Sequence, residues 1–196
     1  MAVMALAPIV GLLGGFAVNR WARRVARRAT TRVRGPVRVG QWTMSGGLAL
    51  THGANDAQKS IGIVGAVLFA GGTTSHLASP VWAELACGIA LTAGTTLGGW
   101  PIVRTVGRRI TRLRPLDSLS SQAGSTAALF GASVIGAPVS TTQVVASSVV
   151  GVAGGRRRWR HVHWPLVRAM ALAWLVTIPA SAGLAILALY PWRWLS

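Results

Sequence analysis

The sequence predicts an all-α, polytopic membrane protein, and three observations carry this prediction. Hydrophobic residues make up 52% of the 196-residue chain and charged residues only 12%, about half the charged share of a typical soluble domain. The apolar residues fall in uncharged runs long enough to cross a bilayer. Arginines cluster between those runs. Little sequence remains for a soluble domain, so we expect residues 1–196 to form a single transmembrane domain.

The uncharged runs are the candidate membrane segments. They span residues 1–18, 61–82, 85–103, 119–155 and 169–192. About 20 apolar residues cross the bilayer core, so these runs predict roughly five to seven segments. Residues 1–18 are interpreted as an uncleaved first span with its N-terminus outside, because the arginines follow the run instead of preceding it. Residues 119–155 are long enough for two passes or a re-entrant hairpin.

Three arginine clusters separate these runs. Eight arginines lie in residues 20–38, five in residues 104–114 and four in residues 156–160. The net charge of +17 suggests nucleic-acid binding at first, but clusters confined to loops between apolar runs are typical of the positive-inside rule. We therefore expect a multi-pass protein of the inner (plasma) membrane without a nucleic-acid partner. Its basic loops, the first over residues 19–38, are expected in the cytoplasm.

Small residues at a four-residue spacing occur at Gly11/Gly15 and at Gly94/Gly98. This spacing lets transmembrane helices approach closely, within one chain or between chains. The signal is weak in a chain with 24 glycines. It indicates two faces where close helix packing is worth looking for.

A polar segment interrupts the apolar sequence after Leu50. It reads Gly53-Ala54-Asn55-Asp56-Ala57-Gln58-Lys59. The chain has three acidic residues and one lysine, and an ionisable pair at membrane depth is costly enough to indicate a functional site. The glycines around His52 favour a discontinuous helix broken near residues 52–55, as in transporters that bind ions at such breaks. If the following segment is helical, His52, Asp56 and Lys59 share a face. The alternative is a structural salt bridge.

A second polar segment lies within residues 119–155. It reads Pro138-Val139-Ser140-Thr141-Thr142-Gln143. Ser140 or Thr141 is suited to cap a helix, whose N-terminus offers unpaired N–H groups and a positive dipole end to an anion. The three hydroxyls add donors suited to phosphate oxygens. The alternative is that the hydroxyl residues only allow close helix packing, which is the interpretation we prefer for Ser147 and Ser148.

The sequence does not favour an enzyme. A membrane enzyme acting on phosphate groups needs a nucleophile with a base, or a metal cluster. His161 and His163 adjoin the third arginine cluster, where we expect them to meet lipid headgroups. Asp56 and Glu84 are single carboxylates without a second acid nearby in sequence. We therefore expect no catalytic residue, no metal centre and no cofactor.

Taken together, the two polar segments resemble the inorganic phosphate transporter (PiT) family. Both motifs occur in order, at a matching separation and within a matching hydropathy pattern, so the resemblance covers essentially the whole chain. Three further stretches match: Gly98-Gly99-Trp100, Arg104-Thr105-Val106-Gly107 and the arginine-rich turn through Arg114-Pro115. Members of the family are secondary symporters that carry phosphate with sodium or protons, and some bacterial members are thought to take neutral metal–phosphate complexes.

The resemblance implies a joint site for phosphate and a coupling cation. It assigns phosphate to Ser140, Thr141, Thr142, Asn55 and Lys59, and the sodium ion or proton to Asp56 and Asn55. Hard cations prefer oxygen ligands of this kind. A cation on Asp56 lowers the electrostatic cost of a phosphate nearby, and by linkage phosphate must favour the cation equally.

Two features depart from the family pattern. Gln143 replaces a usual histidine, which puts a proton role at that position in doubt. Family members contain two inverted repeats, each with an Asn-Asp motif, whereas this sequence has the motif once and resembles the second half, with residues 39–196 as its transport core. The resemblance then implies a first-repeat half-transporter as partner, or a homodimer with dual insertion, although the arginine bias argues against dual topology. The alternative is an inactive or non-transporting fragment, or a partner subunit of a phosphate transporter.

Overall fold

The structure is a computed structural model that describes residues 2–28, 34–74, 79–137 and 139–195. Within these ranges the regular structure is helical throughout. The helices are α1 (Ala2–Val25), α2 (Arg34–Ala70), α3 (Val81–Arg104), α4 (Pro115–Val134), α5 (Thr141–Gly155) and α6 (Trp164–Leu195). Short helical segments follow α1, α3 and α5, at Ala26–Arg28, Thr105–Arg109 and Trp159–His161. The prediction of an all-α chain is confirmed.

Helices α4 and α5 form an antiparallel hairpin. Pro115 opens α4, where its fixed φ suits the first helical position. The turn after α4 contains Gly136 with φ of 64°, a conformation that glycine adopts without steric cost. Across the hairpin the Ser148 hydroxyl donates to the Ser121 carbonyl at 3.1 Å. Ser148 therefore has the packing role predicted for it.

Helix α1 packs into the groove of this hairpin, parallel to α5 and antiparallel to α4. A methyl group at Gly11 would overlap the carbonyl of Val144, and one at Gly15 would overlap the carbonyl of Ser148. The two backbones thus touch directly, which only glycine permits at these positions. The predicted packing role of Gly11 and Gly15 is confirmed.

Helix α2 runs parallel to α4. The Gln41 side chain donates to the carbonyl of Pro115 at 3.1 Å, and Gln122 donates to the hydroxyl of Ser45 at 2.8 Å. Further along α2, Leu48 packs against a buried apolar cluster. The cluster consists of Ala7, Leu129, Val139 and Val144. These contacts fix the face of α2 that turns toward the hairpin.

The predicted break in α2 is wrong, because the helix continues through residues 52–55 without interruption. Each glycine in a helix interior costs about 1 kcal/mol relative to alanine, and packing of α2 against α4 offsets that cost. The Thr51 hydroxyl also donates within the helix, to the carbonyls of Gly47 at 3.0 Å and Leu48 at 3.1 Å. The helical structure next to α2 is interrupted instead between α4 and α5, where α4 ends at Val134 and α5 begins at Thr141.

Two helices of the described chain are long and apolar enough to cross a membrane, at Val81–Arg109 and Trp164–Leu187. The larger predicted number of segments stays a prediction. A Cβ at Gly94 or Gly98 of α3 would meet no described atom within 4 Å. That spacing therefore makes no close contact within the described chain. The chain divides into two compact units, Met1–Val162 and His163–Ser196, and α6 forms the second.

The first arginine-rich segment was predicted as a loop over residues 19–38. Both ends of this segment are helical in the structure. Helix α1 continues to Val25 and α2 begins at Arg34. Residues 29–33 lie outside the described residues.

Candidate functional site

His52, Asp56 and Lys59 share one face of α2, as their spacing predicts. Lys59 Nζ lies 3.1 Å from Asp56 Oδ1, and His52 Nε2 lies 3.7 Å from Asp56 Oδ2. All three side chains are partly accessible, with 28% of Asp56, 36% of Lys59 and 40% of His52 exposed. The carboxylate is therefore paired and still reachable by a ligand.

The Lys59 side chain joins the two polar segments. Its Nζ donates to the carbonyl of Val139 at 2.6 Å, across 80 residues of sequence. Val139 directly precedes Ser140, so the ammonium lies at the start of α5. An ammonium has three donors, of which these contacts to Asp56 and Val139 use two. The fold thus brings the lysine, its carboxylate partner and a helix N-terminus together.

Helix α5 begins where the sequence predicts. Ser140 is the N-cap, with φ of −85° and ψ of 113°, and its hydroxyl accepts a 3.5 Å hydrogen bond from the Gln143 amide. The first N–H groups of a helix have no partner within the helix and form the positive end of its dipole. Thr141 is buried and Thr142 is exposed. Pro138 lies outside the described residues.

Several buried polar atoms in this region have no hydrogen-bond partner in the described part of the chain. Asn55 is 3% exposed and its Nδ2 is unpaired, as is Oε1 of Gln143 in the first turn of α5. The others lie on α4: Gln122 Oε1, Ser125 Oγ, Thr126 Oγ1 and Ser133 Oγ. A buried polar group without a partner costs about 1–3 kcal/mol. Such a concentration is expected where water or a ligand completes the hydrogen bonding.

A cavity of about 480 Å³ opens between α2, α4, α5 and the end of α3, within the usual range of roughly 300–1,000 Å³ for ligand sites. Its polar wall consists of Ser45, His52, Ser118, Ser121, Gln122, Thr141 and Thr142. Two predicted phosphate residues, Thr141 and Thr142, thus border the cavity. The other three, Asn55, Lys59 and Ser140, lie outside its wall. The predicted residues are therefore divided between this cavity and the place where Lys59 contacts the carbonyl of Val139 at the start of α5.

A second ionic cluster surrounds Asp117, for which no role was predicted. The carboxylate is fully buried and lies 2.6 Å from Arg23 Nη2 and 2.7 Å from Arg156 Nη1. The side-chain amide of Asn19 and the backbone amide of Arg114 also donate to it, at 3.1 and 3.0 Å. Burial lowers the pKa of the Arg156 guanidinium, and the positive charges of neighbouring arginines lower this pKa further. The negative charge of Asp117 acts in the opposite direction and raises it. The cluster joins the end of α1 to the first turn of α4 and to the C-terminal end of α5.

One signal in the sequence could have drawn attention to Asp117. A proline followed by an acid within the next two residues is typical of a helix start, and Asp117 indeed lies in the first turn of α4. The arginine partners stand 94 and 39 residues away along the chain. The local sequence pattern therefore predicts the helix start near Asp117 but does not predict the ion pairs of Asp117 with Arg23 and Arg156.

The histidines and the remaining acid considered for catalysis are on the surface. His161, His163 and Glu84 are exposed, and His163 Nδ1 accepts a 3.3 Å hydrogen bond from the Leu166 amide. Among the described residues no group of three His, Cys, Asp or Glu side chains is placed to hold a metal ion.

Comparison with known proteins identifies relatives of this chain. The profile of the phosphate transporter family matches residues 1–185. A "Probable low-affinity inorganic phosphate transporter" of Bacillus subtilis (strain 168) is 42% identical over 141 residues, which are 71% of this chain and 42% of the relative. The protein of the same name in Mycobacterium tuberculosis (strain ATCC 25618 / H37Rv) is 38% identical over 178 residues, 90% of this chain and 42% of the relative.

A third protein of that name, from Rhizobium meliloti (strain 1021), is 40% identical over 146 residues, 74% of this chain and 43% of the relative. The chain thus spans less than half the length of these curated relatives. No solved structure matches the chain.

Proposed function

The chain belongs to the phosphate transporter family, and we propose that it forms part of a site that carries inorganic phosphate across the inner (plasma) membrane by cation-coupled symport. The family is one of transporters and not of enzymes, and the resemblance found in the two motifs is confirmed. In this proposal phosphate, alone or as a neutral metal–phosphate complex, moves with a sodium ion or a proton. The protein is multi-pass and its basic loops face the cytoplasm.

The contact between Lys59 and the carbonyl of Val139 supports this proposal most directly. It holds the Asn55-Asp56 segment of α2 against the N-terminus of α5 at 2.6 Å. A purely structural salt bridge would need only the pair within α2. The additional contact to the hairpin places cationic charge where a helix dipole already favours an anion.

Phosphate is assigned to the N-terminus of α5 and its neighbours. Ser140, Thr141 and Thr142 supply hydroxyls, and the first turn of α5 supplies backbone N–H groups. Lys59 adds a charge-assisted hydrogen bond, which is stronger than a neutral one. Asn55 is buried with Nδ2 unpaired among the described residues, so a phosphate oxygen or a water would satisfy it. Thr141 and Thr142 also border the cavity, so an anion in the cavity can reach these two hydroxyls.

The coupling cation is assigned to Asp56 and the amide oxygen of Asn55. Oxygen ligands suit a sodium ion, and a carboxylate can equally hold a proton. In the absence of cation the Asp56 charge opposes phosphate, and cation binding removes that opposition. The two ligands therefore favour each other by the same factor in either order of binding.

The α4–α5 hairpin fits a re-entrant element. Helix α5 has 15 residues and is about 22 Å long at 1.5 Å per residue. A bilayer core is about 30 Å thick, so α5 is too short to cross it alone. The start of α5 would then lie inside the membrane, where transporters place their binding sites.

A second Asn-Asp motif completes the site in this proposal. The motif occurs once in this sequence, whereas the inverted-repeat architecture that the resemblance implies uses two. We assign the second motif to a first-repeat half-transporter, with a homodimer of this chain as the other arrangement to be tested.

The proposal is tested by uptake of radiolabelled phosphate into proteoliposomes under imposed sodium or proton gradients. The chain is reconstituted alone and together with the part of the Bacillus subtilis relative that it does not cover. We expect gradient-dependent uptake in the complemented vesicles, and Thr142→Val should reduce it at least tenfold by removing a phosphate donor.

The matched control is Thr95→Val, since Thr95 is an exposed threonine on α3 whose hydroxyl bonds only within its helix. It should leave uptake unchanged. Uptake by the chain alone would favour the homodimer. Absence of uptake in both preparations would contradict the transport proposal and leave the chain a non-transporting member of its family.

A further inference from the structure

A second cavity, of about 560 Å³, lies at the end of the bundle where α1 and α5 end and α4 begins. We call it the arginine cavity, because six arginines line it: Arg20, Arg23, Arg24, Arg27, Arg156 and Arg157. It is separated from the turn between α4 and α5 by the length of α4, about 30 Å at 1.5 Å per residue. The arginine cavity is thus distinct from the proposed transport site.

The positive charge of the arginine cavity is not balanced by the protein. The sequence has three acidic residues. Asp117 is already held by Arg23 and Arg156, while Asp56 and Glu84 belong to α2 and α3. The other four arginines have no carboxylate within ion-pair distance in the described part of the chain. Like charges around a concave surface repel each other, so a bound anion would stabilise this arrangement.

The wall of the arginine cavity is partly fixed in advance. Asp117 orients Arg23 and Arg156 through contacts of 2.6 and 2.7 Å. Arg157 has φ of 55°, and its amide donates to the carbonyl of Gly154 at 2.8 Å. It therefore occupies the position after a helix end that glycine usually fills. Non-glycine residues in this conformation concentrate at ligand sites.

We propose that the arginine cavity binds a phosphate group, either the phosphodiester of an anionic membrane lipid or inorganic phosphate. A guanidinium presents a planar fork of N–H donors that matches two phosphate oxygens. Several such forks converge here on a single concave surface. Basic pockets between transmembrane helices are recurrent binding places for anionic lipid headgroups.

An apolar stripe on α1 leads to the arginine cavity and favours the lipid source. Leu6, Val10 and Leu13 are 53%, 49% and 56% exposed. Their helical spacing places them on the same face of α1 as Arg20 and Arg24. An acyl chain lying along this stripe would deliver its headgroup to the arginines.

The test is ligand binding to the full 196-residue chain in detergent, measured by native mass spectrometry. The ligands are dioleoylphosphatidylglycerol, inorganic phosphate, and dioleoylglycerol, which has the same acyl chains and no phosphate. The variant R20Q/R24Q/R27Q removes three arginines that take no part in holding Asp117. We expect it to weaken phosphatidylglycerol binding on the order of 10- to 100-fold.

The matched control is R104Q/R108Q/R109Q, which removes the same charge from exposed arginines outside the arginine cavity. It should retain affinity within about twofold, as expected for charges distant from the ligand. Unchanged far-UV circular dichroism verifies that both variants fold. If the triple variant fails to fold, Arg24→Gln alone serves the same purpose, with a loss of about fivefold expected.

The three ligands distinguish the two possible sources of the bound phosphate group, a lipid headgroup and inorganic phosphate. Loss of phosphatidylglycerol binding in the cavity variant, without measurable inorganic phosphate binding to the wild type, identifies a lipid site. Inorganic phosphate binding that the cavity variant loses identifies a free-phosphate site. Equal binding by the wild type and both variants would overturn the proposal, as would equal affinity for dioleoylglycerol and phosphatidylglycerol.

Discussion

The two ionic clusters in the described part of the chain, around Asp117 and around Asp56, are built differently. Asp117 is fully buried and accepts hydrogen bonds from two guanidiniums, a side-chain amide and a backbone amide. Asp56 is 28% exposed and has one lysine and a more distant histidine beside it. The first cluster ties three helices together, whereas the second leaves its members accessible.

This difference indicates separate roles for the two carboxylates. A fully buried carboxylate whose oxygens are already paired has no capacity for a further ligand, and its removal leaves the partner charges uncompensated. A partly exposed pair contributes little to stability and can exchange its partner for a ligand. We therefore interpret the Asp117 cluster as structural and the Asp56 cluster as functional.

Replacing Asp117 by asparagine should have the largest effect on stability. Arg23 and Arg156 would lose their counter-charge, at a cost of about 3 kcal/mol, which corresponds to a fall of roughly 6–12 °C in Tm for a chain of this size. Thermal unfolding in detergent, followed by tryptophan fluorescence, measures this. Glu84→Gln is the matched control at an exposed acid on α3 and should change stability by less than about 0.5 kcal/mol. Equal Tm values for the two variants would remove the structural role of Asp117.

Replacing Gly15 by alanine should have the next largest effect. The added methyl would overlap the carbonyl of Ser148 and force α1 away from α5, at a cost of about 1–3 kcal/mol. The same unfolding experiment applies. Gly98→Ala on α3 is the control, because a methyl there meets no described atom within 4 Å, and it should be neutral or stabilising by up to about 1 kcal/mol. A destabilised Gly98→Ala with an unaffected Gly15→Ala would contradict the helix packing described above.

Replacing Ser140 by alanine should have a small, local effect. The Gln143 amide would lose its cap, and because that hydrogen bond is long at 3.5 Å we expect the low end of the usual cost, about 0.5 kcal/mol. Hydrogen–deuterium exchange of the first turn of α5 should accelerate about twofold, while exchange at the C-terminal end of α5 stays unchanged. Ser140→Thr keeps the cap and should match the wild type. Uniform acceleration along α5 would mean that Ser140 supports the whole hairpin and not the cap alone.

Short-range features of this protein could be predicted from its sequence. The helical spacing of His52, Asp56 and Lys59 and the N-cap at Ser140 both follow from local rules of helix geometry. They required no knowledge of which helices are neighbours.

Features that depend on distant neighbours could not be predicted. The break expected near His52 rested on glycine propensity alone, and packing of α2 against α4 outweighs that local cost. The Asp117 cluster joins residues 94 and 39 positions apart. The contact of Lys59 with Val139 likewise spans 80 positions. Each of these depends on the relative placement of helices, which the order of residues does not display.

The assignment of function to the Asp56 cluster is tested most directly by Asp56→Asn, measured for stability and uptake in the same preparation. The loss of an exposed pair costs less than about 1 kcal/mol, so we predict a Tm within roughly 4 °C of the wild type. Gradient-driven phosphate uptake into complemented proteoliposomes should fall to background, because Asp56 is the charged ligand of the coupling cation in the proposed function. A variant that keeps wild-type uptake, or one whose Tm falls as far as that of Asp117→Asn, would contradict the functional assignment.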